Sequence, residues 1–201
     1  MRVGKDKLWT ENEWQRWTVE WWKWFLSKSE DQNPAKDMDG LRHMNQDGHK
    51  DKVFFLAGSL EKLPNPPERN CNISANARVL CPLINCIYTQ AEAKKDGRGS
   101  KLDARELFKH VETDMHGVTN IQLTVDGMNV LELRRVKTPK FYVNLLNDNI
   151  WGAEPGRTLA ASDGIWVLLN PVHNSEKHTF EFQGQNQANF ANNVKYNLHI
   201  K

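Results

Sequence analysis

The sequence predicts a mainly β protein with helices packed on it, an α+β fold in which an antiparallel β-sandwich or jelly roll carries two helices. Three observations lead there. Residues 14–25, WQRWTVEWWKWF, hold five of the eight tryptophans at helical spacing. A second stretch, 103–116, has the capping and periodicity of another helix. Seven or more short apolar or alternating runs, separated by turn residues, fill most of the remaining chain, as sandwiches and barrels require. At 201 residues with 39% hydrophobic composition, the chain is one domain of ordinary size, 1–201.

The first helix, within 9–28, begins at Thr10, which with Glu13 makes a T-x-x-E capping box. At 100° per residue, Trp14, Trp17, Thr18, Trp21, Trp22, Trp24 and Phe25 share one broad face, and Glu13, Arg16, Glu20 and Lys23 the other. Burying one such large side chain is worth roughly 1.5–3 kcal/mol, so this face is expected to lie across a sheet. Some of its rings are candidates for stacking on a sugar or another flat ligand. The helix should stop near Lys28, before the polar SKSEDQNP.

Residues 31–51 read as a long polar loop. Then VFFLA at 53–57 reads as a strand buried on both faces, opening a group of strands over 53–90. After a proline-rich connection at 63–70, runs at Arg69–Ile73 and Ala77–Pro82 suggest a hairpin, with Asn76 supplying a left-handed turn residue and Pro82 ending the second strand. Residues 91–102, AEAKKDGRGSKL, read as a polar loop. The second helix follows: Asp103 and Glu106 form a capping box, Leu107, Val111 and Met115 the core stripe, and Gly117 suits the C-terminal cap. The half from 119 to 200 reads as β. Ile121, Leu123 and Val125 alternate into Asp126-Gly127, a type I′ signal, with Val130–Val136 returning, and three more strands are expected at Ile165–Leu169, Thr179–Phe182 and Val194–Ile200.

Charge and motif content exclude several classes of function. The net charge is +2, with 27 basic and 25 acidic residues, and the basic clusters lack interleaved aromatics, so no nucleic-acid partner is expected. No run approaches 18 apolar residues, so no transmembrane segment is expected. The N-terminus MRVGKDKLWTENEW has no signal-peptide apolar core; the expectation is a cytoplasmic chain as it stands, or an extracytoplasmic one if a leader has been removed. There is no G-x-S-x-G elbow, no GK[ST] phosphate loop and no C-x-x-C pair. Of the three cysteines, Cys81 and Cys86 are too far apart to bridge along one strand, whereas Cys71 and Cys81 flank the expected hairpin; reduced, structural thiols are the expectation.

The order of WWKWFLS (21–27), NPAKDMDG (33–40), VFFLAG (53–58), RNCNISANARVLCPLIN (69–85), TVDG (124–127), SDGIWVLL (162–169) and HTFEFQG (178–184) resembles an uncharacterised family of predicted secreted bacterial and archaeal proteins. Its members carry WWxW, VWFLAG, arginine-x-cysteine, DGYW and HTIxFxG segments in that order. The resemblance covers most of residues 9–200 and implies no particular activity. It also implies a cysteine near the position of His43, paired with the one matching Cys71; this chain has histidine there.

Candidate ligand-binding residues are Trp22, Trp151, Trp166 and His178, the last opening HTFEFQG. Candidate metal ligands are Glu106, His110 and Asp114, at i, i+4 and i+8 on the second helix, and His43 with His49 among the acids of the 31–51 loop. No cofactor is required by these patterns. Three functions remain open: a non-enzymatic binding protein for a small molecule, a glycan or a partner protein; a metal-dependent enzyme on a jelly roll; and a structural or assembly subunit forming a homo-oligomer.

Overall fold

The computed structural model describes residues 9–44, 46, 52–60, 65–99, 101–170, 177–186 and 191–201. His49, with Asp47 and Asp51 of the same loop, lies outside them, as does the start of the proline-rich connection. The fold is mixed α/β, with most residues in strands of two sheets. One sheet has the order β1-β3-β7-β6, with β1 Val53–Phe55, β3 Arg78–Thr89, β7 Gly156–Leu169 and β6 Arg134–Leu145. The other has the order β2-β9-β8-β4-β5, with β2 Glu68–Ile73, β9 Ala191–Ile200, β8 Lys177–Gln185, β4 Thr119–Val125 and β5 Met128–Asn129.

Helix α1, Glu11–Leu26, is capped as expected: the Thr10 hydroxyl accepts from the Glu13 N–H at 3.3 Å, and the Glu13 carboxylate accepts from the Thr10 N–H at 2.8 Å. It lies across the first sheet. Trp21 meets Trp166 edge-on at 5.4 Å, Trp24 sits 5.6 Å from Phe55, and the Trp21 indole N–H donates to the Leu56 carbonyl at 2.7 Å. The opposite face of that sheet packs on the second sheet through Phe54, Val79, Cys81, Val167, Phe180, Phe182 and Tyr196. Helix α3, Ala104–Asp114, covers the same face beyond the end of the second sheet, burying Leu107 and Val111 against Tyr88, Leu159 and Ala161. Its Asp103–Glu106 capping box is formed, and Gly117 holds φ +68° as a C-terminal stop.

The first sheet carries two bulges. Registers slip between Pro82 and Ile84 in β3 and between Thr138 and Phe141 in β6, on the two strands that flank an unbroken β7. Each slip sits beside a proline, Pro82 or Pro139, whose missing N–H cannot join the ladder. Because the slip adds one residue, Cys81 (opposite Val167) and Cys86 (opposite Asp163) project to one face although they are five apart. Pro82 thus does not end the strand, as expected from its chemistry alone; β3 continues to Thr89.

Other expectations are corrected. The pairing is not wholly antiparallel: β1–β3 and β2–β9 are parallel. The expected β2–β3 hairpin does not form, since β2 and β3 belong to different sheets and the turn at Ser74–Asn76 is a crossover between layers. Asp126 and Gly127 do hold φ +52° and +76°, a type I′ turn, but the returning strand is only Met128–Asn129 before the chain crosses to β6. The stretch read as a polar loop at 91–102 begins with a helix, α2 Gln90–Lys95, capped by Thr89 and Glu92. No helix among the described residues is long and apolar enough to cross a membrane.

Candidate functional site

A cavity of about 310 Å³ opens where the first sheet loses an edge strand. Three-residue β1 pairs with β3 only over Arg78–Leu80, and the last contact is the Leu56 N–H on the Leu80 carbonyl at 3.0 Å. Beyond it, among the described residues, no strand pairs with that edge of β3. Ile84, Asn85, Cys86 and Ile87 therefore line the cavity along an open strand edge. Helix α1 supplies Trp21, Trp22 and Phe25; the far wall is the 58–60 strip with Asn192; Asp114 and Met115 come from the end of α3, and Trp151 from the loop after β6.

Each wall has a local cause. Gly58 lies so close to Asn192 that a Cβ there would fall 2.2–2.4 Å from the Asn192 amide. That amide accepts from the Ser59 N–H at 2.9 Å and donates to the Leu83 carbonyl at 3.0 Å, pinning the strip to the bulge of β3. Trp151 rides on a turn organised by Asn149, whose side chain accepts from the N–H groups of Trp151 and Ala153, both at 3.2 Å, and donates to the Leu146 and Ala153 carbonyls, both at 2.8 Å. From α2, Lys95 donates to the Trp151 carbonyl and Lys94 pairs with Glu154, which ties this turn down.

Trp22 is 4% exposed, packed edge-on against Trp21 at 4.8 Å and 6.5 Å from the half-buried Trp151 ring. Two buried donors of cavity-lining residues, the Trp22 indole N–H and the Asn85 amide nitrogen, have no hydrogen-bond partner among the described residues. Among the described residues that line the cavity, the one thiol is poorly suited to nucleophilic chemistry. Burial raises the Cys86 thiol well above its ordinary range, and the nearby carboxylates of Asp114 and Asp163 push the same way.

The other candidates are placed elsewhere. Trp166 is 1% exposed and sits beneath Trp21, so it supports the core and is not part of an open platform. His178 does not line the cavity. It is buried at the start of β8, its Nδ1 2.7 Å from an Asp126 oxygen, in a dyad that joins β8 to the β4–β5 turn; the other oxygen of Asp126 accepts from the Thr179 N–H at 2.9 Å. On α3, the Glu106 carboxylate is occupied in the capping box at 2.8 Å from the Asp103 nitrogen. His110 and Asp114 stand 3.7 Å apart, and the His110 ring lies edge-on to Tyr88 at 3.8 Å. Among the described residues, no group of three or more His, Cys, Asp and Glu is arranged to hold a metal ion.

His43 proves to be the centre of a sealed polar hub. Its Nδ1 is 2.7 Å from Asp37 Oδ2 and its Nε2 2.7 Å from the Tyr196 hydroxyl. Arg69 donates to that hydroxyl at 2.7 Å, and to the carbonyls of Asp37 at 2.6 Å, Ala57 at 2.7 Å, Gly58 at 3.3 Å and Ala35 at 3.4 Å. All four side chains are essentially inaccessible. Burial lowers His43 to about 4, with the charge of Arg69 acting in the same direction, against the hydrogen bond and charge of Asp37, which raise it. Burial works to raise the Asp37 carboxyl, but His43 and the Gly40 N–H hold it below its usual range. Cys71 donates weakly to the Gly40 carbonyl nearby, and its thiol is pushed up to about 12, chiefly by burial and then by Asp37. All three cysteines are free thiols.

Sequence reasoning missed Asn85 and the hub. Asn85 had a signal, a lone amide inside the apolar run LCPLINCIY. The hub had none, since its four members span residues 37 to 196 and meet only through the topology. No protein-family model matches the chain, and no curated protein matches it.

Proposed function

We propose that this protein is a non-catalytic binding module whose cavity takes one small ring-shaped ligand, a carbohydrate being the favoured class. The observation that carries the reading is the 310 Å³ cavity walled by the Trp22 and Trp151 indoles at the open edge of β3. That volume lies at the lower end of the roughly 300–1,000 Å³ of small-ligand sites, which suits a single ring. Indole faces stack on the C–H faces of sugars, and the amides and the Asp114 carboxylate around them supply hydrogen bonds at the rim. The scaffold is read as a β-sandwich of mixed pairing in preference to a jelly roll, because two of its pairings are parallel.

Binding is favoured over catalysis by where the titratable groups lie. The Asp37–His43–Tyr196 chain has the composition of a proton relay, but its side chains are shut in the core where no substrate reaches them. The cavity holds a thiol that resists ionisation. Of the segments that carry the family resemblance, WWKWFLS, NPAKDMDG and VFFLAG supply cavity-lining residues, and NPAKDMDG and RNC supply Asp37 and Arg69 of the hub, which fits a scaffold organised around this site.

The test is titration of tryptophan fluorescence with a panel of mono- and disaccharides, in the wild type and in Trp151→Ala. Saturable quenching, weakened tenfold or more by Trp151→Ala, is the expected result. A panel without any saturable response, or a response indifferent to Trp151, overturns the proposal.

A further inference from the structure

Helix α2 is six residues long and buries only Ala91 and Ala93. An isolated helix of fewer than roughly 12–15 residues is marginal in water, so α2 depends on its cap and its neighbours. The Thr89 N–H and hydroxyl both donate to Glu92 Oε2, at 3.0 and 2.9 Å, and the Thr89 oxygen accepts from the Glu92 N–H at 3.1 Å. Two lysines of α2 then reach the turn that carries Trp151: Lys95 donates to the Trp151 carbonyl and Lys94 pairs with Glu154. Asn149 keeps the shape of that turn from within, and the Glu30 N–H holds its near end through the Asp148 carbonyl at 2.7 Å. The Trp151 end is held from outside the turn by α2.

Glu92 makes this hold depend on a proton. Its side chain is half-buried, and burial lifts the carboxyl to about 7. The Asp96 carboxylate pushes the same way, against the Thr89 hydrogen bonds and the charge of Lys95. From β3, the Tyr88 hydroxyl donates to Asp96 at 2.8 Å, with the charge of Arg98 close by; β7 offers the neutral Thr158 hydroxyl, which accepts from the Ala91 N–H at 3.1 Å. Because both Thr89 donors meet one oxygen, a proton on Oε1 leaves the cap intact. Losing that proton puts a negative charge in a half-buried place beside another carboxylate, so α2 is firmest below about 7 and looser above it. We infer that α2 is a pH-sensitive strap: ionisation of Glu92 loosens it, releases Lys95 from the Trp151 carbonyl and lets the Trp151 wall of the cavity move. Only the consequence for a ligand rests on the cavity being the binding site.

The test uses the full-length protein without ligand, labelled with ¹⁵N-tryptophan and ¹³C-glutamate. The Trp151 indole signal, assigned with Trp151→Phe, and the Glu92 carboxyl signal are followed from about pH 5.5 to about 8.5. The expected result is a step with its midpoint at about 7 in both signals. In Glu92→Gln the Trp151 step disappears. In Lys95→Met it also disappears, while the Glu92 carboxyl still titrates. A Glu92 carboxyl that titrates near 4.5, its ordinary value, overturns the switch whatever the variants do. A Trp151 signal that is flat in the wild type, or that titrates unchanged in either variant, overturns the strap. Each of these failures leaves the binding proposal to the saccharide panel, since Trp151 is followed with no ligand present.

Discussion

Acidification should loosen this protein through His43, and the size of the effect follows from its surroundings. The imidazole is fully buried, with one nitrogen facing Asp37 and the other the Tyr196 hydroxyl, and the charge of Arg69 close by. Its folded-state pKa, about 4, lies below the 6.5 of an exposed histidine. As the pH falls, the unfolded chain therefore takes up the proton first. The stability tied to neutral His43 is complete above pH 6.5 and is lost progressively between about 6.5 and about 4. Over the whole interval this amounts to about 3 kcal/mol, of which about 2 kcal/mol falls between pH 7 and 4.5. Glu92 acts in the opposite sense. Burial raises its carboxyl to about 7 against the hydrogen bonds from Thr89, so its contribution is present below 4.5 and fades as the pH rises toward 7. Asp37, held low, adds its own loss only below the usual carboxylate range. Urea unfolding of wild type and His43→Gln at pH 7 and 4.5 separates these terms: the wild type should lose about 2 kcal/mol more than the variant on acidification. NMR of the imidazole gives a check that does not depend on the variant folding. A folded-state His43 that titrates near 6.5 refutes the reasoning.

Two further outcomes are expected. Gly58→Ala should cost about 1–3 kcal/mol in thermal or urea unfolding, since the new methyl would lie 2.2–2.4 Å from the Asn192 amide and must displace it from Ser59 and Leu83; an unchanged midpoint would show that the strip moves freely. Tyr196→Phe should cost at least about 2 kcal/mol, because the lost hydroxyl accepts from Arg69 and gives its one proton to either the His43 Nε2 or the Ala57 carbonyl, and the same urea experiment reads it.

What was legible in the sequence was what local chemistry decides. Thr10 with Glu13, Asp103 with Glu106, the Leu107/Val111/Met115 stripe and the Asp126-Gly127 turn each act within a few residues, and each formed as read. The indole-rich face of α1 was legible as a core surface because no other placement keeps so much apolar area from water. Sheet membership was not legible. Ser74-Ala75-Asn76 looks the same whether the next strand returns beside β2 or crosses to another layer, and long-range pairing made that choice. Nor could the fate of Pro82 be read, since ending a strand and seeding a bulge both follow from its missing N–H. The short α2 was hidden because AEAKK is polar on most of its surface and buries only Ala91 and Ala93. Trp22 and Trp151 could be named as candidates from composition; that they meet at a strand edge left open by a three-residue β1 is a property of the register.

The hub and the cavity share a wall, and this suggests why a charged cluster is kept where apolar packing would be no less stable. Replacing buried charged groups by hydrocarbon is often neutral or stabilising, so stability alone is a weak reason for Arg69, which bonds the Asp37 backbone carbonyl, and for the Asp37 carboxylate, which meets His43, to be there. Arg69 does something hydrocarbon cannot. Its guanidinium takes carbonyls from two separate segments, Ala35 and Asp37 of the loop after α1, and Ala57 and Gly58 after β1, and fixes them to β2, while Tyr196 ties the same point to β9. Ala35 and Gly58 line the cavity. Among the described residues neither segment has strand partners at these positions, so beside the Asn33 cap on Ala35 and the Asn192 contact at Ser59 these bonds set the shape of the cavity wall. A planar fork with several donors suits this task where a lysine would not, because its geometry sets angles as well as distances. Arg69→Lys should accordingly keep much of the buried charge yet blur the cavity. It would appear as faster amide exchange at Ser59 and Leu60 than global unfolding accounts for, and equal protection of those amides in variant and wild type would argue that packing alone shapes the wall.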